Sequence, residues 1–191
     1  MTARAIRRLG AAALVLLAST VRAPADVALF GGYWDNVARM AEKNEAGKVR
    51  QLVGAGHDCD ELDDDGRTGL LVVAINGNLP IAAILIQAGA HLNVRDRLGK
   101  TPLHYAAEHG AVEMVQLLLD AGAATDPEDR SGVTPLMVAA GHGYATIVQA
   151  LLAKHANVGK TDFTGRDALT WAADSHRGAV VQMLQRAGAR R

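Results

Sequence analysis

The sequence predicts an all-α solenoid of about five stacked helix-turn-helix pairs, joined by short β-hairpin-like fingers. Three observations carry this. Gly66, Gly99, Gly132 and Gly165 stand 33 residues apart. Ala74, Ala107, Ala140 and Ala173 keep the same step, as do Leu52, Leu85, Leu118, Leu151 and Leu184. The large aromatics are scarce, with 2 Trp and 2 Phe in 191 residues, as close-packed small helices require. A fixed period of this length marks units that cannot bury their apolar faces alone and do so by stacking.

One repeat, Asp96 to Glu128, shows the logic. Asp96-Arg97-Leu98-Gly99 reads as a turn, with Asp at its first position and Gly at its last. Thr101-Pro102 opens a helix, the hydroxyl suited to an orphan amide and Pro to the first helical position. Leu103, Ala106 and Ala107 form its apolar stripe, and the two alanines let a neighbouring helix come close. Gly110 ends it. A second helix is expected from about Ala111 to Asp120, with Met114, Val115, Leu118 and Leu119 on one face. Ala121-Gly122-Ala123 stops it, and an extended segment leads to the next turn at Asp129-Arg130-Ser131-Gly132.

This pattern resembles the ankyrin repeat. Gly99, Thr101-Pro102-Leu103-His104, Ala106-Ala107, Gly110, Leu117-Leu118-Leu119 and Gly122-Ala123 match its motif, and the resemblance covers roughly residues 33 to 191. It implies an ankyrin repeat solenoid that recognises a protein partner through its finger tips and the concave face of its first helices.

Taken in order, residues 1–25 read as a secretory signal peptide. Arg4, Arg7 and Arg8 give a positive start, Leu9 to Ala18 a short apolar run, and Ala23-Pro24-Ala25 a small-residue cleavage site. The run is short for a membrane span. The chain thus resembles an exported bacterial ankyrin repeat protein, periplasmic or secreted. The whole chain has formal net charge +0; cleavage after Ala25 removes Arg4, Arg7, Arg8 and Arg22 and no acid, leaving a net acidic remainder. Nothing there calls for nucleic acid.

The domain then runs from 26 to 191, with repeats at about 33–62, 63–95, 96–128, 129–161 and 162–191. The first repeat is degenerate. Asp35 falls in the Thr slot, and Arg39, Glu42, Lys43, Lys48 and Arg50 suit an end cap facing water. Val27 to Phe30 and Tyr33-Trp34 are candidates to cover that end. In the second repeat Gly69 replaces Pro and should loosen the helix start, while Asn78 caps the next helix ahead of Pro80. The fourth carries His155 where Gly is expected. In the fifth, Asp167 replaces the capping Thr, and Gln185 stands where Val53, Ile86, Leu119 and Leu152 stand before it, as befits a terminal cap.

Candidate chemistry is sparse. Of 7 His, His104 is the motif His, suited to bonding near its helix start. His109 and His142 share a slot, so they should lie on one face about 10 Å apart, one helix-packing distance; a metal would need more ligands. Cys59 is the 1 cysteine, in a slot shared with Leu92, Thr125 and Val158, and reads as core. Asp58, Asp60, Glu61, Asp63, Asp64 and Asp65 form an acidic cluster, but Arg67 and Thr68 break the calcium-loop pattern. There is no nucleophile elbow, P-loop or dinucleotide fingerprint, so neither an enzyme nor a cofactor is expected.

The partner-binding candidates come from slot alignment. Asp64, Arg97, Arg130 and Phe163 form a row at the finger tips. Beside them lie Arg67, Lys100, Val133 and Arg166, then Glu108, His109, His142 and Tyr144 towards the inner helices. None of these slots is required by the core pattern. The row is basic through repeats three and four, pointing to a protein partner with an acidic patch, and Phe163 and Tyr144 offer apolar anchors. A monomeric, exported protein-protein interaction module is the expectation. The alternatives are an accessory or inhibitor subunit of one exported enzyme, and a metal-binding or redox protein using His and Cys.

Overall fold

The computed structural model describes residues 36–189. The expected signal segment, Val27 to Phe30, Tyr33-Trp34 and Asp35 lie outside them. Within them run ten helices: α1 Val37–Glu42, α2 Ala46–Gly54, α3 Gly69–Asn76, α4 Leu79–Gln87, α5 Pro102–Glu108, α6 Val112–Asp120, α7 Pro135–His142, α8 Ala145–Ala153, α9 Ala168–Asp174 and α10 Gly178–Arg186. The odd-numbered helices pack on one another in sequence, α1 on α3 through to α7 on α9, and the even-numbered helices form a second layer. This is the all-α solenoid that the 33-residue period predicts.

Each inner helix begins where a side-chain oxygen meets an orphan amide. Thr68 Oγ1 accepts from the Leu71 N–H, Thr134 Oγ1 from Met137 and Asp167 Oδ1 from Thr170. In α1 the cap is Asn36, accepting from Arg39, one residue later than the Thr slot at Asp35 suggests. α3 starts at Gly69 even without the proline, because the Thr68 cap is in place and Gly69 lies buried against Val37, Ala38 and Leu85. The outer helix α4 is capped by Asn78.

Small residues set the spacing between inner helices. Ala74, Ala107 and Ala140 are fully buried, whereas Ala173, in the last repeat, is half-buried. Met114, Val115, Leu118 and Leu119 of α6 are all buried, confirming the single apolar face. Burying such side chains contributes about 1.5–3 kcal/mol each. Gln185, in the slot of the buried Leu119, is exposed. His155 takes φ +61, the left-handed conformation that Gly56, Gly89 and Gly122 hold in the equivalent slots.

The fingers are tight turns rather than paired strands. Asp63, Asp96, Asp129 and Asp162 each use Oδ1 to accept the backbone N–H groups two and four residues on. Each also donates its own N–H to the carbonyl four residues on. Among the described residues strand-like pairing is limited to an isolated bridge, Thr161 with Asp167. A second set of side chains ties neighbours together at the finger base. Asp60 accepts from the His91 N–H, Asn93 from Ala124 and Asp126 from Asn157. Asp60 and Asp63 of the acidic cluster therefore have structural work.

Candidate functional site

The tips form a row in which each residue covers the glycine of the finger before it. The Arg97 guanidinium lies over Gly66, Arg130 over Gly99 and the Phe163 ring over Gly132. The Arg130 N–H donates to the Leu98 carbonyl at 3.0 Å and the Phe163 N–H to that of Ser131 at 2.9 Å. Side chains at two of these glycines would collide: a Cβ on Gly99 would lie 2.9 Å from Arg130 N and one on Gly132 2.7 Å from the Phe163 ring, whereas one on Gly66 would lie 3.8 Å from Arg97. Arg130 and Phe163 are thus fixed by backbone contact while the side chains of the row stay in solvent. Phe163 is 75% exposed and Leu98 57%. Arg97 and Arg130 are exposed and enter no ion pair among the described residues. Leu98 was missed by slot reasoning. Its signal was an apolar residue in a slot otherwise held by Asp65, Ser131 and Thr164.

The second row behaves unevenly. The Arg67 guanidinium binds Asp63 and Glu42. Lys100 pairs with Glu108 at 2.7 Å and lies over the Tyr105 ring, 5.2 Å from its centroid. Arg166 donates to Asp162 and stacks on Trp171, 4.7 Å from the ring centre. Val133 corrects the sequence reading. It is only 9% exposed and packs in the core, and its carbonyl accepts from His104 Nε2 at 3.0 Å. It is a packing residue rather than a protruding contact, with one edge left in the lining of a groove. The slot suits long cations whose heads reach water; a short β-branched side chain in the same place stays inside.

Nearer the inner helices, His109 is exposed and stacks with Tyr105, and His142 is exposed and stacks with Tyr144. Tyr144 is half-buried, its ring pressed onto Gly110, so it is a packing residue with one open edge rather than a protruding anchor. A groove of about 440 Å³ gathers Lys100, Glu108, Val133 and His142. Asp129, Val138, Gly141, Trp171, Ser175 and Arg177 complete it. Trp171 and Arg177 were not among the sequence candidates; Ser175 holds the slot of His109 and His142, and Arg177 that of Tyr144. Arg97, Arg130 and Phe163 lie outside the lining and form a separate tip patch.

His104 is fully buried. Its Nδ1 accepts the Thr101 N–H at 3.1 Å while Nε2 donates to Val133, which fixes the neutral tautomer. Burial lowers its pKa, against the upward pull of the Val133 carbonyl and of Asp129. Cys59 is half-buried with Sγ 3.9 Å from the Ala88 carbonyl; burial, then Asp60 and Asp58, raise the thiol pKa, so thiolate is scarce. Among the described residues no three His, Cys, Asp or Glu side chains gather as metal ligands.

A family model described as ankyrin repeats, three copies, matches residues 37–129 and 122–190. The chain belongs to the ankyrin repeat family. Ankyrin repeats are generally protein–protein interaction modules and typically lack enzymatic activity. Comparison with curated proteins brings out no match. In this ankyrin domain no helix of the described residues is long and apolar enough to cross a membrane.

Proposed function

We propose that the chain is an exported, periplasmic or secreted module that binds a protein partner bearing an acidic patch, through the finger tips and the adjoining inner-helix face. The observation that carries this is the tip patch. Arg97 and Arg130 stand exposed outside any ion pair among the described residues, beside Leu98 and Phe163. Arg and aromatic residues most often dominate binding energy, and unpaired guanidinium groups favour carboxylates bidentately. The turn acids Asp96 and Asp129 are engaged by their own backbones, which tempers their field but does not remove it.

Capture of the partner from periplasmic extract, followed by Arg97→Ala, Arg130→Ala and Phe163→Ala with unchanged melting, tests the surface. Losses of about 1 kcal/mol or more at two of the three are expected. Unchanged affinity at all three, with losses from Gln116→Ala or Gln149→Ala, places the partner on the outer helices instead. Export is tested by intact mass of protein from the exported fraction. Cleavage after Ala25 is expected, and a mass retaining Met1 to Arg8 refutes it.

A further inference from the structure

The finger carboxylates divide their labour: Oδ1 holds the turn, and Oδ2 takes a side-chain donor. Asp63 Oδ2 accepts from Arg67 Nε at 2.8 Å. Asp96 Oδ2 accepts from the Tyr105 hydroxyl. Asp162 Oδ2 accepts from Trp171 Nε1 at 3.0 Å and Arg166 Nε at 3.2 Å. Two slots thus supply the donor, that of Arg67, Lys100, Val133 and Arg166, and that of Val72, Tyr105, Val138 and Trp171.

In the fourth repeat both slots are valine. Asp129 Oδ1 still holds the Ser131 and Val133 amides, but Oδ2 receives no side-chain donor among the described residues. Asp129, Val133 and Val138 line the 440 Å³ groove, with Trp171 beyond them. That volume lies in the range of small-ligand sites. Lys100, a cation of that lining, is engaged by Glu108 at 2.7 Å. Arg177, across the groove, donates through Nε to the Gly141 carbonyl at 3.2 Å. His142 is the remaining titratable group in the lining.

The geometry points to an arginine side chain of the protein partner seated in this groove, its stem over Val133 and Val138 and its guanidinium on Asp129 Oδ2. The chain shows the same contact twice within itself, Arg67 on Asp63 and Arg166 on Asp162; the partner supplies the guanidinium that the fourth repeat lacks. Arginine suits the seat better than lysine, because its planar fork matches a carboxylate and its stem covers apolar surface. The inference rests on the reading that this face binds protein, and refines it. An acidic patch meets the tips, and one arginine enters the groove behind them.

The test uses N-acetyl-arginine N-methylamide titrated into the isotope-labelled full chain, followed by NMR. Saturable shifts are expected at the Val133 and Val138 amides and the Trp171 indole N–H, with affinity of roughly millimolar strength for one side chain, and none with N-acetyl-glutamate N-methylamide. Asp129→Asn keeps the Oδ1 acceptor of the turn and should weaken binding about tenfold or more, as loss of a charge-assisted bond implies. Val133→Arg places the chain's own guanidinium on the carboxylate and should abolish the response while raising the melting temperature. Absence of saturable shifts in the parent, or an undiminished response in both variants, overturns the proposal. If the arginine probe fails while Arg97→Ala and Arg130→Ala still impair partner capture, the arginine seat falls and the tip surface stands. If the probe binds as described while those variants leave capture unchanged, the seat stands and the tip surface falls.

Discussion

Replacing His104 by Leu separates the two roles of this buried imidazole, since Leu71 fills the equivalent slot fully buried in the second repeat. The substitution removes the acceptor of the Thr101 N–H, a 3.1 Å bond in a buried setting. A buried donor left without a partner costs about 1–3 kcal/mol. The Val133 carbonyl loses one donor but keeps the Asp129 N–H at 3.0 Å, so its share is small. Greater apolarity of Leu offsets about 1 kcal/mol, leaving a net loss of up to about 2 kcal/mol at pH 8. With a urea slope of about 2 kcal/mol/M, the midpoint falls by up to about 1 M. The pH dependence carries the sharper signal. Burial holds the folded imidazole below its ordinary value of 6.5. Below pH 6.5 the unfolded chain therefore takes up a proton that the folded chain does not, and parent stability falls as pH drops towards the folded pKa. The Leu variant lacks this term, whereas the carboxylate titrations are shared and cancel in the difference. Urea midpoints of both proteins at pH 8 and pH 5 should show the deficit of the variant narrowing in acid. A deficit that is constant or grows on acidification refutes the buried neutral imidazole.

Three further outcomes are expected. Ala107→Leu should overpack the seam between α5 and its neighbours by about 1–3 kcal/mol, read as a lowered melting temperature; a curve matching the parent would contradict the packing of this fully buried alanine. His155→Gly should stabilise by about 1 kcal/mol, because His155 holds φ +61 and left-handed geometry strains any residue with a Cβ; urea midpoints measure it. Asp162→Ala removes the acceptor of the Thr164 and Arg166 amides and of the Trp171 indole, so hydrogen exchange should quicken across α9 and α10 more than across α5 and α6.

The repeat register, the caps at Thr68, Thr134 and Asp167 and the buried alanine seam were legible because each is a local rule repeated at a fixed step. Register also placed Arg97, Arg130 and Phe163 in one exposed row. It failed where equivalent slots hold unlike side chains. Slot alignment treats Lys100, Val133 and Arg166 alike, yet reach decides whether a head group gains water, and Val133 has none to send there. The same limit hid the groove, whose lining comes from three repeats. The Asn36 cap escaped because the register puts Asp35, not Asn36, in the Thr slot.

The bonds at the finger base, from Asp60, Asn93 and Asp126 to the next repeat's amide, reach one neighbour and no further. The helix layers follow the same rule, α5 touching α3 and α7. Among the described residues these bonds and packings join neighbouring units only. Pulled from both termini, the chain should yield as a series of small steps, the outermost unit peeling while those behind it hold, and shorten again by the reverse route. Its elasticity is then that of a spring assembled from separable coils, with the weakest coil setting the force at which extension begins.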